Sequence, residues 1–366
     1  MDPRSGRDDP GDGEPLRGLG PDVPLRASGP ALGQPGADAG PPRQRRGRRA
    51  AGVLGASGGL AAALGLAAHH YPSGSSTTVA VSAFSSYLVA LAPLSALLLL
   101  LGRRWIAAGL AAALTAGAVA ALAPTYAGDQ VATAGRPLTV LTANVKLGQA
   151  GAAGVVAAVE RSGADVVLLQ ELTPALRRQL ADAGLDAVLP HSVVEPWPGA
   201  EGIGLWSRYR LADETRHDEL TFPAVSARLV LDDEQPGPVV LTLHAAGPWP
   251  QAADDWVRDL AKLPALLDRV AREADVLGSP VLIGGDLNAT WGNAQFRGLL
   301  QDGYRDAAEV LGAPWTTTFP AVPRAPALIG IDHVLVRGAG PRELRTVGIP
   351  GSDHRGVVAT VVLPAA

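Results

Sequence analysis

Five short polar motifs in the second half of the chain carry residue types that could hold a cation, a water and a phosphate together. They are Thr142-Ala143-Asn144, Leu169-Gln170-Glu171, Gly284-Gly285-Asp286-Leu287-Asn288, Ile331-Asp332-His333 and Gly351-Ser352-Asp353-His354. Asn, Glu, Asp and His are the set needed to bind a hard divalent ion and activate water against phosphorus. The first four motifs follow directly on apolar runs with strand character, and the fifth precedes one. Polar groups at strand ends, gathered on one rim of a sheet, are how α/β enzymes build active sites.

Each motif has a chemical and a structural reading. Glu171 ends the apolar run Val166 to Leu169, where a carboxylate needs a cation or a hydrogen-bond donor. It is a candidate Mg²⁺ ligand, or an N-cap for the helix after Pro174. Asn144 either orients Glu171 and the metal or caps a turn. Asp286 and Asn288 follow Val281-Leu282-Ile283 through two glycines, which allow a sharp turn and close approach to a ligand. Two apart on an extended segment, they are expected to project to the same side, one toward the attacking water and the other toward a phosphate oxygen. The alternative is an Asp-rich turn.

A histidine held by a carboxylate serves as a general base or as a transition-state cation. Neighbours on an extended segment diverge, so Asp332 is the expected partner of His354, which leaves Asp353 free for metal. Ser352, Asp353 and His354 do not make a serine triad, whose members converge from separate elements. His244, at the end of Val239 to Leu243, is either a donor to phosphate or a satisfied structural histidine. His69, His70, His191, His217 and His333 read as surface or structural.

These residues need strands to carry them. Apolar runs predict strands at 138–143, 165–170, 204–207, 226–231, 239–244, 281–285, 331–336 and 356–363. Helical patterns fall at 150–161, 174–183, 252–273 and 293–300, and no internal repeat is visible. Strands that neighbour both helices and other strands predict an α/β domain with a mixed sheet.

Composition divides the 366 residues into unlike parts. Residues 1–49 are rich in Gly, Pro, Asp and Arg and read as a disordered tail. Residues 50–126 are mostly Ala, Leu, Gly and Val, 127–137 read as a linker, and 138–366 as a globular domain. The absence of cysteine excludes disulfides, Cys-ligated zinc and thiol catalysis. Residues 137–366 carry 19 Lys and Arg against 27 Asp and Glu, a net of −8. Such a domain lacks the basic footprint of a dedicated nucleic-acid binder.

Three uncharged apolar stretches, at 50–68, 79–101 and 106–123, each approach the ~20 residues that a bilayer core requires. Arg43, Arg45, Arg46, Arg48 and Arg49 precede the first, and Arg103 and Arg104 separate the second from the third. The positive-inside rule then puts the N-terminus in the cytoplasm and the C-terminal domain outside a plasma membrane. The alternative for the first stretch is a cleaved signal peptide, which would leave the domain outside; failure of that stretch to insert would move it.

In their order, the motifs resemble the endonuclease/exonuclease/phosphatase superfamily, which holds DNase I-like nucleases, inositol-polyphosphate 5-phosphatases and neutral sphingomyelinases. The likeness covers about residues 138–363. Thr318-Phe319-Pro320 and Gly202-Ile203-Gly204-Leu205-Trp206-Ser207-Arg208 add to it. The resemblance implies a four-layer α/β sandwich with two mixed sheets, here preceded by three transmembrane helices. It implies Glu171, Asp353 and Asn144 at a Mg²⁺ site, with Mn²⁺ as a substitute. It also implies His244 at the phosphate, Asp286 and Asn288 at water and phosphate, and Asp332 orienting His354. The three-span architecture, with only two Lys in the chain, is similar to actinobacterial membrane proteins of the VanJ type, linked to teicoplanin resistance. That likeness implies an extracytoplasmic hydrolase of a lipid-linked phosphate or pyrophosphate, with the lipid bilayer as a partner. Two other readings stand beside it: a membrane-tethered nuclease, and a non-catalytic sensor of a phosphorylated ligand.

Overall fold

The computed structural model describes residues 42–129, 134–231 and 236–364. The described residues from Arg46 onward fall in one compact unit. The expected tail therefore lies outside the described residues as far as residue 41, and so does the expected linker at 130–133. The first helix starts at Pro42, ahead of the expected boundary at Ala50. Pro suits a first helical position, and the Gln and Arg residues after it are good helix formers, so low hydrophobicity does not keep this stretch irregular.

The helical segment comprises α1 (Pro42–His70), α2 (Ser76–Ala83), α3 (Ser85–Val89), α4 (Leu91–Leu101), α5 (Trp105–Leu122) and α6 (Pro124–Ala127). α1 and α5 are long and apolar enough to cross a membrane. The expected straight span over 79–101 is broken: α2 and Ser85–Leu101 are bent by 58° and make a third span only as a bent pair. Phe84, between them, leaves helical geometry with φ −94° and ψ 11°. The break has a tertiary cause. Val79 packs into the core of the C-terminal domain, and Asn293 Nδ2 donates to Ser82 Oγ at 2.6 Å. α1 meets α4 through small residues, where a Cβ on Gly55 would lie 2.8 Å from Leu99 and Ser95 Oγ donates to the Gly55 carbonyl at 2.6 Å.

Among the described residues, the C-terminal domain has twelve strands. They are β1 (Arg136–Asn144), β2 (Val166–Gln170), β3 (His191–Glu195), β4 (Ile203–Ser207), β5 (Arg210–His217) and β6 (Ala224–Val230), then β7 (Val239–His244), β8 (Val281–Asp286), β9 (Arg305–Asp306), β10 (Asp332–Arg337), β11 (Gly340–Gly348) and β12 (Arg355–Leu363). The helices are α7 (Ala152–Ser162), α8 (Pro174–Asp182), α9 (Leu185–Val188), α10 (Asp254–Val276), α11 (Ala294–Arg297) and α12 (Ala307–Val310). The strands form two six-stranded sheets, in the orders β11-β12-β1-β2-β4-β3 and β5-β6-β7-β8-β10-β9. Both are mixed: β1–β2 and β7–β8 are parallel, whereas β1–β12 and β8–β10 are antiparallel.

The sheets face each other across a core that includes Leu138, Val140, Leu168 and Leu205 from the first and Val225, Leu229, Val240 and Leu282 from the second. α7 and α8 bury Val155, Val159, Leu176 and Leu180 on the outer side of the first sheet. α10 buries Trp256, Leu263 and Leu267 on the outer side of the second. The result is four layers, helix–sheet–sheet–helix, as the resemblance implied. Register then sets the site. β1 pairs Asn144 with Gln170, β7 pairs His244 with Asp286, and β8 pairs Asp286 with Asp332.

Candidate active site

The ends of β1, β2, β7, β8 and β10, with the turn into β12, meet at one rim of the two sheets. Glu171, His244, Asp286, Asn288, Asp353 and His354 all line one cavity of about 790 Å³. Asn144 links the two sheets there. Its Nδ2 donates to Glu171 Oε1 at 2.9 Å and to Asp286 Oδ2 at 3.0 Å, while its Oδ1 accepts from the Lys146 N–H at 2.8 Å. With its amide committed in this way, Asn144 holds the Glu171 and Asp286 carboxylates in place.

Glu171 is not an N-cap, because Thr173 caps α8 by accepting from the Leu176 N–H at 3.2 Å. The backbone around Glu171 is left-handed (φ 61°), as it is at Lys146 (φ 50°) and Leu147 (φ 47°). Such conformations cost about 1–3 kcal/mol each where the residue is not glycine. In return, the Leu147 N–H donates to Glu171 Oε2 at 2.6 Å. Asp353, from the turn before β12, lies 3.7 Å from Lys146 Nζ.

Asp286 closes β8 with its side chain 1% exposed. Its Oδ1 accepts from the Asn288 N–H at 2.9 Å. Burial raises its pKa and Asp332 adds to that, while His354 and His244 draw it back part of the way. Asn288 does not continue the strand, as an extended segment would require, but turns with φ 48°. Its Nδ2 donates to the Ala245 carbonyl at 3.0 Å and lies 3.4 Å from His244 Nε2. His244 Nδ1 donates to the Ala200 carbonyl at 3.0 Å, which turns Nε2 toward Asp286 Oδ2 at 3.7 Å and Glu171 Oε1 at 3.9 Å.

His354 Nδ1 is 2.9 Å from Asp332 Oδ2, and its Nε2 is 3.7 Å from Asp286 Oδ2. Burial alone would lower the pKa of this imidazole, but the carboxylates of Asp332 and Asp286 outweigh burial and raise it from 6.5 to about 10. These carboxylates favour the imidazolium form. Ser352 ties the turn down, its Oγ donating to the Asn144 carbonyl at 2.7 Å and accepting from the His354 N–H at 2.9 Å.

The donor set fits a hard divalent cation. It is rich in carboxylate oxygens and has no sulfur, and buried Asp332 Oδ1 has no hydrogen-bond partner among the described residues. Asp286, Asp332 and His354 bring one ligand atom each within 4.8 Å of one another. The proton on His354 competes for that position, which leaves Glu171 and Asp353 as the open carboxylates beside it; Asp255, also in the cavity lining, is paired with Arg258.

Several supporting groups lie around the site, and all but Phe319, which belongs to the Thr318-Phe319-Pro320 segment, are not visible as motifs. Phe222 and Phe319 pack on the rings of His244 and His354 at 5.0 and 4.9 Å. Asp259, buried in α10, accepts from the Thr221 N–H at 2.8 Å and the Ala246 N–H at 2.9 Å, fixing the loops on either side of His244. Its one sequence signal is an acid on the apolar face of α10, between Trp256 and Leu263. His333 is structural: it is buried, contacts the Ala289 carbonyl at 2.9 Å and packs on Phe296.

Comparison with known proteins agrees with this geometry. The model of the Endonuclease/Exonuclease/phosphatase family matches residues 141–354. No curated protein matches the chain. Among solved structures, truncated Caenorhabditis elegans TDP2 aligns with a TM-score of 0.50 at 18% identity, over 62% of this chain and 97% of that one. D. rerio TDP2 complexed with single strand DNA product gives 0.49 at 18%, over 62% and 98%. A Bacteroides thetaiotaomicron mannosyl-6-phosphatase gives 0.47 at 14%, over 62% and 100%. At these identities the likeness is one of fold, and the family match starts after the apolar helices. On the match over most of its length, this chain belongs to the Endonuclease/Exonuclease/phosphatase family, whose members hydrolyse phosphoesters.

Proposed function

We propose that the protein is a membrane-anchored, extracytoplasmic hydrolase of a lipid-linked phosphate or pyrophosphate of the cell envelope, dependent on Mg²⁺. The observation that carries the chemistry is the cavity lined by Glu171, Asp286, Asn288, His244, Asp353 and His354, with Asn144 and Asp332 hydrogen-bonded behind Asp286 and His354. A divalent cation held by Glu171 and Asp353 would neutralise charge on the phosphate oxygens. The raised pKa of Asp286 suits it to take the proton of the attacking water as the new P–O bond forms. Asn288 Nδ2 and, when the ring is doubly protonated, His244 Nε2 would donate to the phosphate oxygens. His354 donates its Nε2 proton to the departing oxygen as the old P–O bond breaks, and Asp332 stabilises the imidazolium until then.

Three features support the lipid substrate. Two helices are long and apolar enough to anchor the chain, and a tether raises the effective concentration of a membrane-bound substrate. The domain is acidic, with a net of −8 over residues 137–366. Lys146 is the one Lys or Arg lining the cavity among the described residues, and it faces Asp353. A polynucleotide would call for more positive charge. The test is phosphate release from undecaprenyl pyrophosphate by detergent-purified protein with Mg²⁺, with plasmid DNA in parallel and His354→Ala as control. Phosphate released, DNA intact and an inactive variant are expected. Nicked DNA beside untouched lipid would make the protein a tethered nuclease, and ion binding without turnover of either would make it a sensor.

A further inference from the structure

One wall of the catalytic cavity does not belong to the family domain. It is the inner face of α2, where Val79, Ala80, Ala83 and Phe84 line the same space as Asp286 and His354. This face is small and apolar, and α2 carries no charge. Ala80 is exposed and Phe84 is 36% exposed, so the wall faces open space. Trp249 lines the cavity too and is 79% exposed, the disposition of an aromatic ring at a membrane–water boundary.

α2 is also fixed to the domain. Besides the Asn293–Ser82 hydrogen bond, Gln295 Nε2 donates to the Ser73 carbonyl at 2.6 Å and Tyr87 Oη to the Leu328 carbonyl at 2.6 Å. From this anchored wall the chain bends by 58° into the apolar helix ending at Leu101. The catalytic groups thus face an uncharged wall that leads, past Ser85, Ser86 and Tyr87, into a candidate span.

We propose that the Val79–Phe84 face of α2, with Trp249, is a subsite for the hydrocarbon chain of the substrate, holding the segment next to the phosphate while the rest stays in the bilayer. This rests on the lipid-phosphate reading and adds which surface selects the lipid. Each buried methylene strengthens binding by roughly fourfold, so a real subsite must show as chain-length dependence.

The experiment compares kcat/KM of full-length, detergent-purified protein with Mg²⁺ on isopentenyl, geranyl and farnesyl pyrophosphate. Ala80→Trp and Ala83→Trp fill the wall; Thr77→Trp, on an exposed position outside the cavity lining, controls for bulk on α2. A rise of at least about tenfold from isopentenyl to farnesyl is expected, lost in the wall variants and kept in Thr77→Trp. A flat series in the unmodified protein, or a slope that survives both wall substitutions, overturns the subsite while leaving the hydrolase reading intact. Hydrolysis of none of the three, with plasmid DNA cut, overturns both. Because the chain-length series needs only the unmodified protein, the proposal stays testable if a wall variant fails to fold.

Discussion

The two sheets bring carboxylates of opposite character to the same rim. Glu171 and Asp353, from the first sheet, have side chains 17% and 34% exposed. Asp286 and Asp332, from the second, are 1% and 0% exposed. Burial raises the pKa of Asp286, the direction that suits a proton acceptor, whereas the more open Glu171 and Asp353 are placed to meet a cation from the cavity. In the proposed function, ion binding therefore falls to the first sheet and proton transfer to the second. His354 crosses the divide, since its backbone leads into β12 of the first sheet while its Nδ1 binds Asp332 of the second.

The sharpest way to break this division is at the proton-handling carboxylate. Asp286→Asn keeps the shape and removes the base, and should lower kcat by roughly 10²–10⁴-fold with the fold intact by circular dichroism. Turnover within a few-fold of the unmodified enzyme would remove Asp286 from the chemistry.

The second effect is on stability. His354 has its folded pKa raised from 6.5 to about 10, so its contribution to stability is full below pH 6.5 and is lost as pH rises through about 10. In EDTA, the melting temperature of the protein should fall across that window, and His354→Gln should flatten the fall. An equal slope in both proteins would deny that the Asp332–His354 pair is charged.

The smallest effect belongs to the bridge between the sheets. Asn144→Ala removes hydrogen bonds to two carboxylates at a cost of about 1.5–3 kcal/mol each in isolation, partly recovered by water. A loss of about tenfold in kcat/KM, eased by higher Mg²⁺, is the expected outcome in a metal titration of activity. Unchanged metal dependence would make Asn144 purely structural.

The same contrast between buried and open explains what could be read from the sequence. β1, β2, β7 and β8 are buried runs that end in polar residues of the site, and β10 and β12 are buried runs that start from them, so apolar pattern and chemistry coincide. β5 and β11 escape that pattern because they are largely exposed edge strands, as in Ala212-Asp213-Glu214-Thr215-Arg216, held by hydrogen bonds to one neighbour. Hydropathy also runs Val79 to Leu101 together. It does not reveal that Val79 and Ser82 belong to the domain, since the partner of Ser82, Asn293, lies 211 residues away. The turn at Asn288 and the buried Asp259 depend on three-dimensional partners in the same way.

The most direct test of the division between the sheets is Mn²⁺ binding, followed by electron paramagnetic resonance, to full-length protein carrying Glu171→Gln or Asp286→Asn. Loss of affinity by about tenfold or more in Glu171→Gln, with Asp286→Asn binding within a few-fold of the unmodified protein, is the expected result. The reverse order would place the ion among the buried carboxylates and contradict the assignment of proton transfer to them.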